Sequence, residues 1–234
     1  MTVKELIYNK KVVFYGDSIT HNWEKYDHDL NLTHGEDYNY GLGYGHVKML
    51  NDACDFKTVD NFAVSGGCYA NCLQLNPLRY EFRHFPYQVM HSLDALKEAE
   101  VIFIMFGSND FSEQVPFGHY QDETDDYHKT DMNFHQGMNF GFKKIKEINP
   151  NAQVFVINIL YRTVGVEAHA TYNYSVNEYN LAIGHVCKQY GYNLIDVSKI
   201  YNKENFKNYS EDGLHPNENG YKVLTDYILN YKIK

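Results

Sequence analysis

The 234-residue sequence has few cysteines, no long apolar run and a deficit of positive charge, and each shortage excludes a class of protein. Its 4 cysteines have no spacing typical of a zinc site or a thioredoxin-like motif, so we expect buried thiols. No apolar run approaches the roughly 18 residues of a membrane-spanning helix, and the first residues do not resemble a secretory signal. These absences predict a reduced, cytoplasmic protein without a membrane span.

The charge balance is acidic. Lys and Arg number 21 against 30 Asp and Glu, which gives a net charge of −9. This charge argues against nucleic acid and anionic membrane surfaces as partners. Hydrophobic residues make up 44%, which is enough for a full core. Because no linker, repeat or low-complexity segment interrupts the chain, we predict one domain over residues 1–234; the oligomeric state is left open.

Apolar runs alternate with segments of helical periodicity along the chain. The runs predict strands at 12–15, 56–60, 101–106, 154–160 and 193–197. The periodic segments predict helices at 46–53, 87–98, 173–190 and 217–231, and another from residue 134 to the Asn149-Pro150 stop. This alternation is typical of an α/β fold, with a parallel sheet covered by helices on both faces.

Small and polar residues follow three of these strands and precede the last helix. The four segments are Gly16-Asp17-Ser18, Ser65-Gly66-Gly67, Gly107-Ser108-Asn109-Asp110 and Asp212-Gly213-Leu214-His215-Pro216. Each alone is typical of an ordinary turn. Ligands of open α/β sheets bind at the carboxyl ends of the strands, where the first three segments should converge.

Together the four segments contain every group that acyl transfer needs. The Ser18 hydroxyl requires a base, which His215 can supply, and Asp212 can orient the imidazole. The tetrahedral intermediate requires donors for its oxyanion, and the backbone N–H groups of Ser18 and Gly66 and the Asn109 amide are suitable. Asp17 and Asp110 are predicted to bind loop N–H groups instead.

In these four ordered blocks the sequence resembles the GDSL or SGNH family of serine esterases and acylhydrolases. The resemblance implies Ser18 as nucleophile, His215 as general base and acid, and Asp212 as its orienting carboxylate. It implies Ser18, Gly66 and Asn109 as the oxyanion hole, with Gly67 as the alternative to Gly66. It also implies a three-layer α/β/α sandwich, a flavodoxin-like five-stranded parallel sheet with strand order 2-1-3-4-5.

No cofactor and no metal site are predicted. Six histidines lie in polar connections, but their spacing matches no standard ligand set, so we expect solvated side chains. They are His21, His28, His34, His119, His128 and His135.

Two long polar connections, residues 20–45 and 112–131, should border the cleft, and they suggest the substrate. They combine acidic side chains with Trp23, Tyr26, Tyr38, Tyr40, Tyr44, Tyr120 and Tyr127. This mixture favours a small-molecule or carbohydrate ester with a short acyl group; the alternative is that the tyrosines only pack the loops. Other functions left open are a lysophospholipase, an acyltransferase with the same triad and a catalytically silent glycan-binding module.

Overall fold

The computed structural model of the chain describes residues 1–21, 45–77, 80–165 and 174–233, and five parallel strands form its sheet. The strands are β1 (Lys11–Gly16), β2 (Thr58–Asn61), β3 (Val101–Met105), β4 (Gln153–Ile157) and β5 (Asn193–Ile195). Their spatial order is β2-β1-β3-β4-β5. The predicted flavodoxin-like order is therefore confirmed.

Eight α-helices accompany the sheet within the described residues. They are α1 (Val3–Ile7), α2 (His46–Cys54), α3 (Phe85–Met90), α4 (Leu93–Glu98), α5 (Ser108–Glu113), α6 (Phe134–Ile148), α7 (Val176–Tyr190) and α8 (Glu218–Asn230). Helices α1, α2 and α8 cover one face of the sheet, and α3, α4, α6 and α7 cover the other. The predicted three-layer sandwich is confirmed. No described helix is long and apolar enough to cross a membrane.

A row of phenylalanines sets the register of the central strands. Phe14 in β1 pairs with Phe103 in β3, which pairs with Phe155 in β4. Their rings stack at centroid separations of 5.1 and 5.2 Å, and each fully buried ring contributes about 1.5–3 kcal/mol of transfer free energy. The same register aligns Gly16 with Met105, so the loops after β1 and β3 leave from one edge.

The helix predicted over 87–98 is in fact two helices, α3 and α4, separated at Ser92. The Ser92 hydroxyl lies 2.7 Å from the carbonyl oxygen of Gln88 and 2.6 Å from the Tyr15 hydroxyl. A serine hydroxyl that donates to a helix carbonyl oxygen competes with the backbone N–H that would continue the helix, so the helix can end there. The contact with Tyr15 anchors this break to β1.

Strands β4 and β5 end earlier than predicted. Beyond each strand, an asparagine side chain, and not a neighbouring strand, bonds to the backbone groups. The Asn180 side chain accepts the Ile159 N–H at 2.8 Å and donates to the Ile159 carbonyl oxygen at 3.0 Å. The Asn158 side chain accepts the Val197 N–H at 2.8 Å. The chain after each strand therefore turns away from the ladder. Helices α1 and α5 were not predicted; α5 ends just inside the polar connection 112–131.

Candidate active site

The turn after β1 carries Ser18 at the carboxyl edge of the sheet. A Cβ on Gly16 would lie 2.6 Å from the Thr20 side chain and 2.9 Å from the Met105 carbonyl oxygen, so only glycine allows this approach. The Asp17 carboxylate accepts the Ile19 N–H at 2.9 Å, which closes the turn. Ser18 is 8% exposed, so most of the residue is covered in this turn.

The loop before α8 is shaped by Asp212. Its Oδ1 accepts the N–H groups of Leu214 and His215, both at 2.8 Å. Gly213 has φ 80°, a left-handed conformation that favours glycine, and its carbonyl oxygen accepts the Thr163 N–H at 2.9 Å. The loop is therefore attached to the segment after β4, and its own aspartate orders the backbone around His215.

Ser18, His215 and Asp212 form one hydrogen-bonded chain. Ser18 Oγ lies 2.8 Å from His215 Nε2, and His215 Nδ1 lies 2.6 Å from Asp212 Oδ2. An ionised carboxylate only accepts, so the proton belongs on Nδ1 and Nε2 is left as the acceptor for the serine hydroxyl. This arrangement is the one that general-base activation of a serine requires.

The electrostatics favour this protonation pattern. Burial raises the pKa of Asp212, but hydrogen bonds from the His215 ring and from the His215 and Leu214 N–H groups outweigh it, so the pKa lies below its usual value. The side chains of His215 and Asp212 are 38% and 54% exposed. Solvent therefore screens the pair, and its attraction is weaker than in a buried triad.

Two of the predicted oxyanion residues, Gly66 and Asn109, lie on neighbouring segments that contact each other. Asn109, in the first turn of α5, donates from Nδ2 to the Gly67 carbonyl oxygen at 3.0 Å. The Gly67 N–H donates to the Val64 carbonyl oxygen at 2.9 Å, which argues against Gly67 as the oxyanion donor. Gly66 has φ 78°, where a side chain would be strained. An amide nitrogen carries two hydrogens, so the bond to Gly67 uses one of the two on Asn109.

Arg162 is a buried side chain of this edge that the sequence reasoning missed. Its Nη1 donates to the Ser108 carbonyl oxygen and hydroxyl at 2.6 and 2.8 Å, and its Nη2 donates to the Ser112 hydroxyl at 2.9 Å. Burial lowers its pKa to about 10, while Asp17 and Asp212 favour the charged form. Arg162 thus holds the start of α5, which carries Asn109. The signal available in the sequence was that Arg162, a charged residue, comes just after the predicted strand 154–160.

Asp110 is structural, as predicted. Its two carboxylate oxygens accept the N–H groups of Tyr69 and Ala70 at 2.9 and 3.1 Å. It is fully buried, and burial raises its pKa to about 7 against the opposing effect of those N–H groups. The aspartate fixes the chain just after Gly66 and Gly67 to the start of α5.

The predictions for the remaining histidines and the cysteines are partly confirmed. All four cysteines are buried thiols outside any disulfide, as predicted. His28 and His34 lie outside the described residues. His128 binds Glu81, but His21 and His135 are buried, so the expectation of solvated side chains is wrong for these two. The His135 ring contacts the Phe117 carbonyl oxygen at 2.6 Å. Within the described ranges, the structure also brings together one buried group of possible metal ligands, Cys68, Cys72 and His84. The spacing of these residues in the sequence did not reveal this group.

The chain belongs to the GDSL-like lipase/acylhydrolase family, whose model matches residues 14–223. This membership confirms the predicted resemblance and supports hydrolase activity. No curated protein sequence matches the chain significantly.

Solved structures show the same fold at low sequence identity. A protein from Lactobacillus plantarum superposes with a TM-score of 0.68 at 17% identity, over 94% of this chain and 95% of its own. A protein described as a GDSL-like lipase from Parabacteroides merdae has a TM-score of 0.60 at 19% identity, with 95% of each chain covered. A catalytic mutant of an acetylxylan esterase from Geobacillus stearothermophilus has a TM-score of 0.59 at 15% identity, over 95% of this chain and 93% of its own.

Proposed function

We propose that the protein is a serine ester hydrolase that forms an acyl-enzyme on Ser18. The observation that carries the proposal is the chain of contacts from Ser18 Oγ through His215 to Asp212, at 2.8 and 2.6 Å. A serine hydroxyl is a weak nucleophile until a base accepts its proton, and His215 Nε2 is within reach. No metal or cofactor has a role in this mechanism.

Acylation begins when Ser18 Oγ attacks the ester carbonyl carbon. His215 Nε2 takes the hydroxyl proton, and the Asp212 carboxylate stabilises the imidazolium through Nδ1. The oxygen of the tetrahedral intermediate accepts hydrogen bonds from the Ser18 N–H, the Gly66 N–H and Asn109 Nδ2. When the intermediate collapses, His215 returns the proton to the departing alkoxide, and the acyl group stays on Ser18.

Deacylation repeats these steps with water as the nucleophile. His215 takes a proton from the water as it attacks the acyl carbon, and the same three donors stabilise the second intermediate. Its collapse releases the carboxylic acid, and the proton on His215 passes to Ser18 Oγ. An acyltransferase would differ only in using an alcohol or sugar hydroxyl in place of water.

The acetylxylan esterase of Geobacillus stearothermophilus supports the assignment of Asp212 and His215. Two of its structures carry alanine in place of an aspartate and of a histidine three positions further on, and both are described as catalytic mutants. Asp212 and His215 have the same spacing. We infer that the two pairs have equivalent roles.

For the substrate we propose a short acyl ester, with a carbohydrate as the favoured alcohol. The half-exposed His215 and Asp212 suit an open site rather than an apolar tunnel. A small hollow lined by Phe62, Val64, Phe82, Tyr87, Gln88 and His91 includes none of the triad residues. A long acyl chain gains about 0.8 kcal/mol per buried methylene, and this gain requires apolar walls beside the nucleophile.

The two long connections contribute unequally to the carbohydrate proposal. Tyr120 packs on His185, and Tyr127 lies near Tyr87 and Phe140, so these two tyrosines pack the second loop against the helices. Acidic residues of the same loop pair with Lys143 of α6. The carbohydrate proposal therefore depends on the aromatic residues of the first connection, all of which lie outside the described residues.

The test combines a covalent probe with a series of esters. A fluorophosphonate should label the wild type and fail to label Ser18→Ala; a wild type that is not labelled would favour a silent binding module. Across p-nitrophenyl esters kcat/KM should peak at about two to four acyl carbons, because the apolar hollow described above does not include the triad and gives a longer acyl chain little to gain there. A peak at about eight carbons or more, or efficient hydrolysis of lysophospholipids, would favour a lipid acylhydrolase. Acyl transfer to added alcohols in preference to water would identify an acyltransferase.

A further inference from the structure

Three potential metal ligands lie together in the core, apart from the triad. The Sγ atoms of Cys68 and Cys72 are 3.9 Å apart, and with a ring nitrogen of His84 all three donor atoms lie within 4.8 Å of one another. Cys68, Cys72 and His84 are at most 1% exposed. This thiol–imidazole cluster (Cys68, Cys72, His84) lies in the turn-rich region between β2 and α3.

Backbone contacts hold the cluster together without any ion. Cys68 and His84 are paired in an isolated parallel bridge, and the Phe85 N–H donates to the Cys68 carbonyl oxygen at 2.9 Å. The N–H groups of Leu75 and Asn76 donate to the Cys72 carbonyl oxygen at 2.9 and 3.0 Å. The three donors are therefore positioned by the fold, which lowers the ordering cost of binding an ion.

The distance between the two sulfur atoms agrees with tetrahedral coordination. Zn–S bonds of about 2.3 Å and Zn–N bonds of about 2.0–2.1 Å place neighbouring ligands roughly 3.5–3.8 Å apart. The 3.9 Å between the two sulfur atoms is close to this edge length. We propose that Cys68, Cys72 and His84 bind one zinc ion, or another divalent cation that prefers sulfur and imidazole ligands.

Charge balance makes such a buried complex feasible. Each thiol releases one proton when it binds, so two thiolates, a neutral imidazole and a divalent cation form a neutral unit. A neutral unit avoids the large cost of a net charge in an apolar core. An oxygen would complete the coordination, and the Gly66 carbonyl oxygen lies 3.8 Å from Cys68 Sγ. The ion would thus tie the loop that carries Gly66 to the start of α3.

The experiment measures metal incorporation, which does not depend on the proposed esterase activity. Because the cluster is buried, the ion must enter as the chain folds, so the protein is produced in cobalt-supplemented and zinc-supplemented media. Elemental analysis gives the metal content, and absorption of the cobalt form reports thiolate-to-metal charge transfer. The variants are Cys72→Ser and His84→Gln, and the matched control is Cys187→Ser, which alters another buried thiol of the same core layer.

The wild type and Cys187→Ser should retain about one ion per chain and show the charge-transfer band. Cys72→Ser and His84→Gln should lose most of the ion, and a chelator present during refolding should lower the melting temperature of the wild type but not of Cys72→Ser. A wild type purified without metal, or cobalt bound without a charge-transfer band, would overturn the proposal even if a variant failed to fold. Equal metal content in the wild type and Cys72→Ser would also overturn it.

Discussion

The contact between Asp212 and His215 gives a sharp prediction, because two substitutions of the aspartate should differ. In Asp212→Asn the amide oxygen can still accept the Leu214 and His215 N–H groups, so the loop is preserved. The amide nitrogen then faces His215 Nδ1 as a donor and favours the tautomer protonated on Nε2. That tautomer donates to Ser18 Oγ and cannot take its proton.

The magnitudes follow from these contacts. In Asp212→Ala the imidazole loses a charge-assisted hydrogen bond, which contributes about 1.5–3 kcal/mol. Because solvent screens the exposed pair, we expect the lower part of this energy range, so kcat should fall about 10–100-fold. In Asp212→Asn the productive tautomer still carries its proton on His215 Nδ1. This N–H group must then face the NH2 group of the asparagine, and two donors repel each other. The combined cost of about 3–4 kcal/mol corresponds to a fall of about 10²–10³-fold. The asparagine variant should therefore be slower than the alanine variant.

The assay is kcat and KM on p-nitrophenyl acetate for both variants. Ser210→Ala is the control, because Ser210 Oγ contacts Asp212 Oδ1 at 3.2 Å and accepts the Gly213 N–H at 3.0 Å without touching His215. It should lose less than about tenfold, since the contact between Asp212 Oδ2 and His215 Nδ1 is left in place. An asparagine variant that is faster than the alanine variant would refute the tautomer argument. An Asp212→Ala enzyme as inactive as His215→Ala would show that the aspartate does more than orient the ring.

The other predictions concern the oxyanion donor, its support and a buried carboxylate. Asn109→Ala should lower kcat about 10²–10³-fold with little change in KM, because the bond strengthens in the transition state; a defect in KM alone would contradict this. Arg162→Met should lower kcat while labelling of Ser18 persists, and Arg162→Lys should restore part of the loss; equal losses in both variants would argue against positioning through the guanidinium. Asp110→Asn should lower the free energy of unfolding by about 1–3 kcal/mol, because one amide cannot accept both N–H groups. Since the Asp110 pKa is raised from 3.8 to about 7, its contribution to stability is present at low pH and lost as the pH rises between those values. Denaturant titrations across that window should show the wild type losing stability relative to Asp110→Asn.

The sequence by itself was sufficient for the fold class and for the local parts of the site. Alternation of strands and helices predicted the parallel sheet, because hydrophobic periodicity is a property of neighbouring residues. The spacing of Asp212 and His215 placed both in one loop, where a three-residue separation lets the carboxylate reach the ring. The strand ends at Ser18 and Asn109 were visible as changes from apolar to polar residues.

Tertiary structure decided the contacts between distant segments. Ser18 and His215 meet although 197 positions separate them, and Arg162 reaches Ser108 across 54 positions. Tyr15 in β1 contacts Ser92, where a periodic segment divides into two helices, and a backbone bridge brings His84 beside Cys68. Such contacts leave no periodic trace in the sequence, because packing between elements, not the order of neighbouring residues, brings their atoms together.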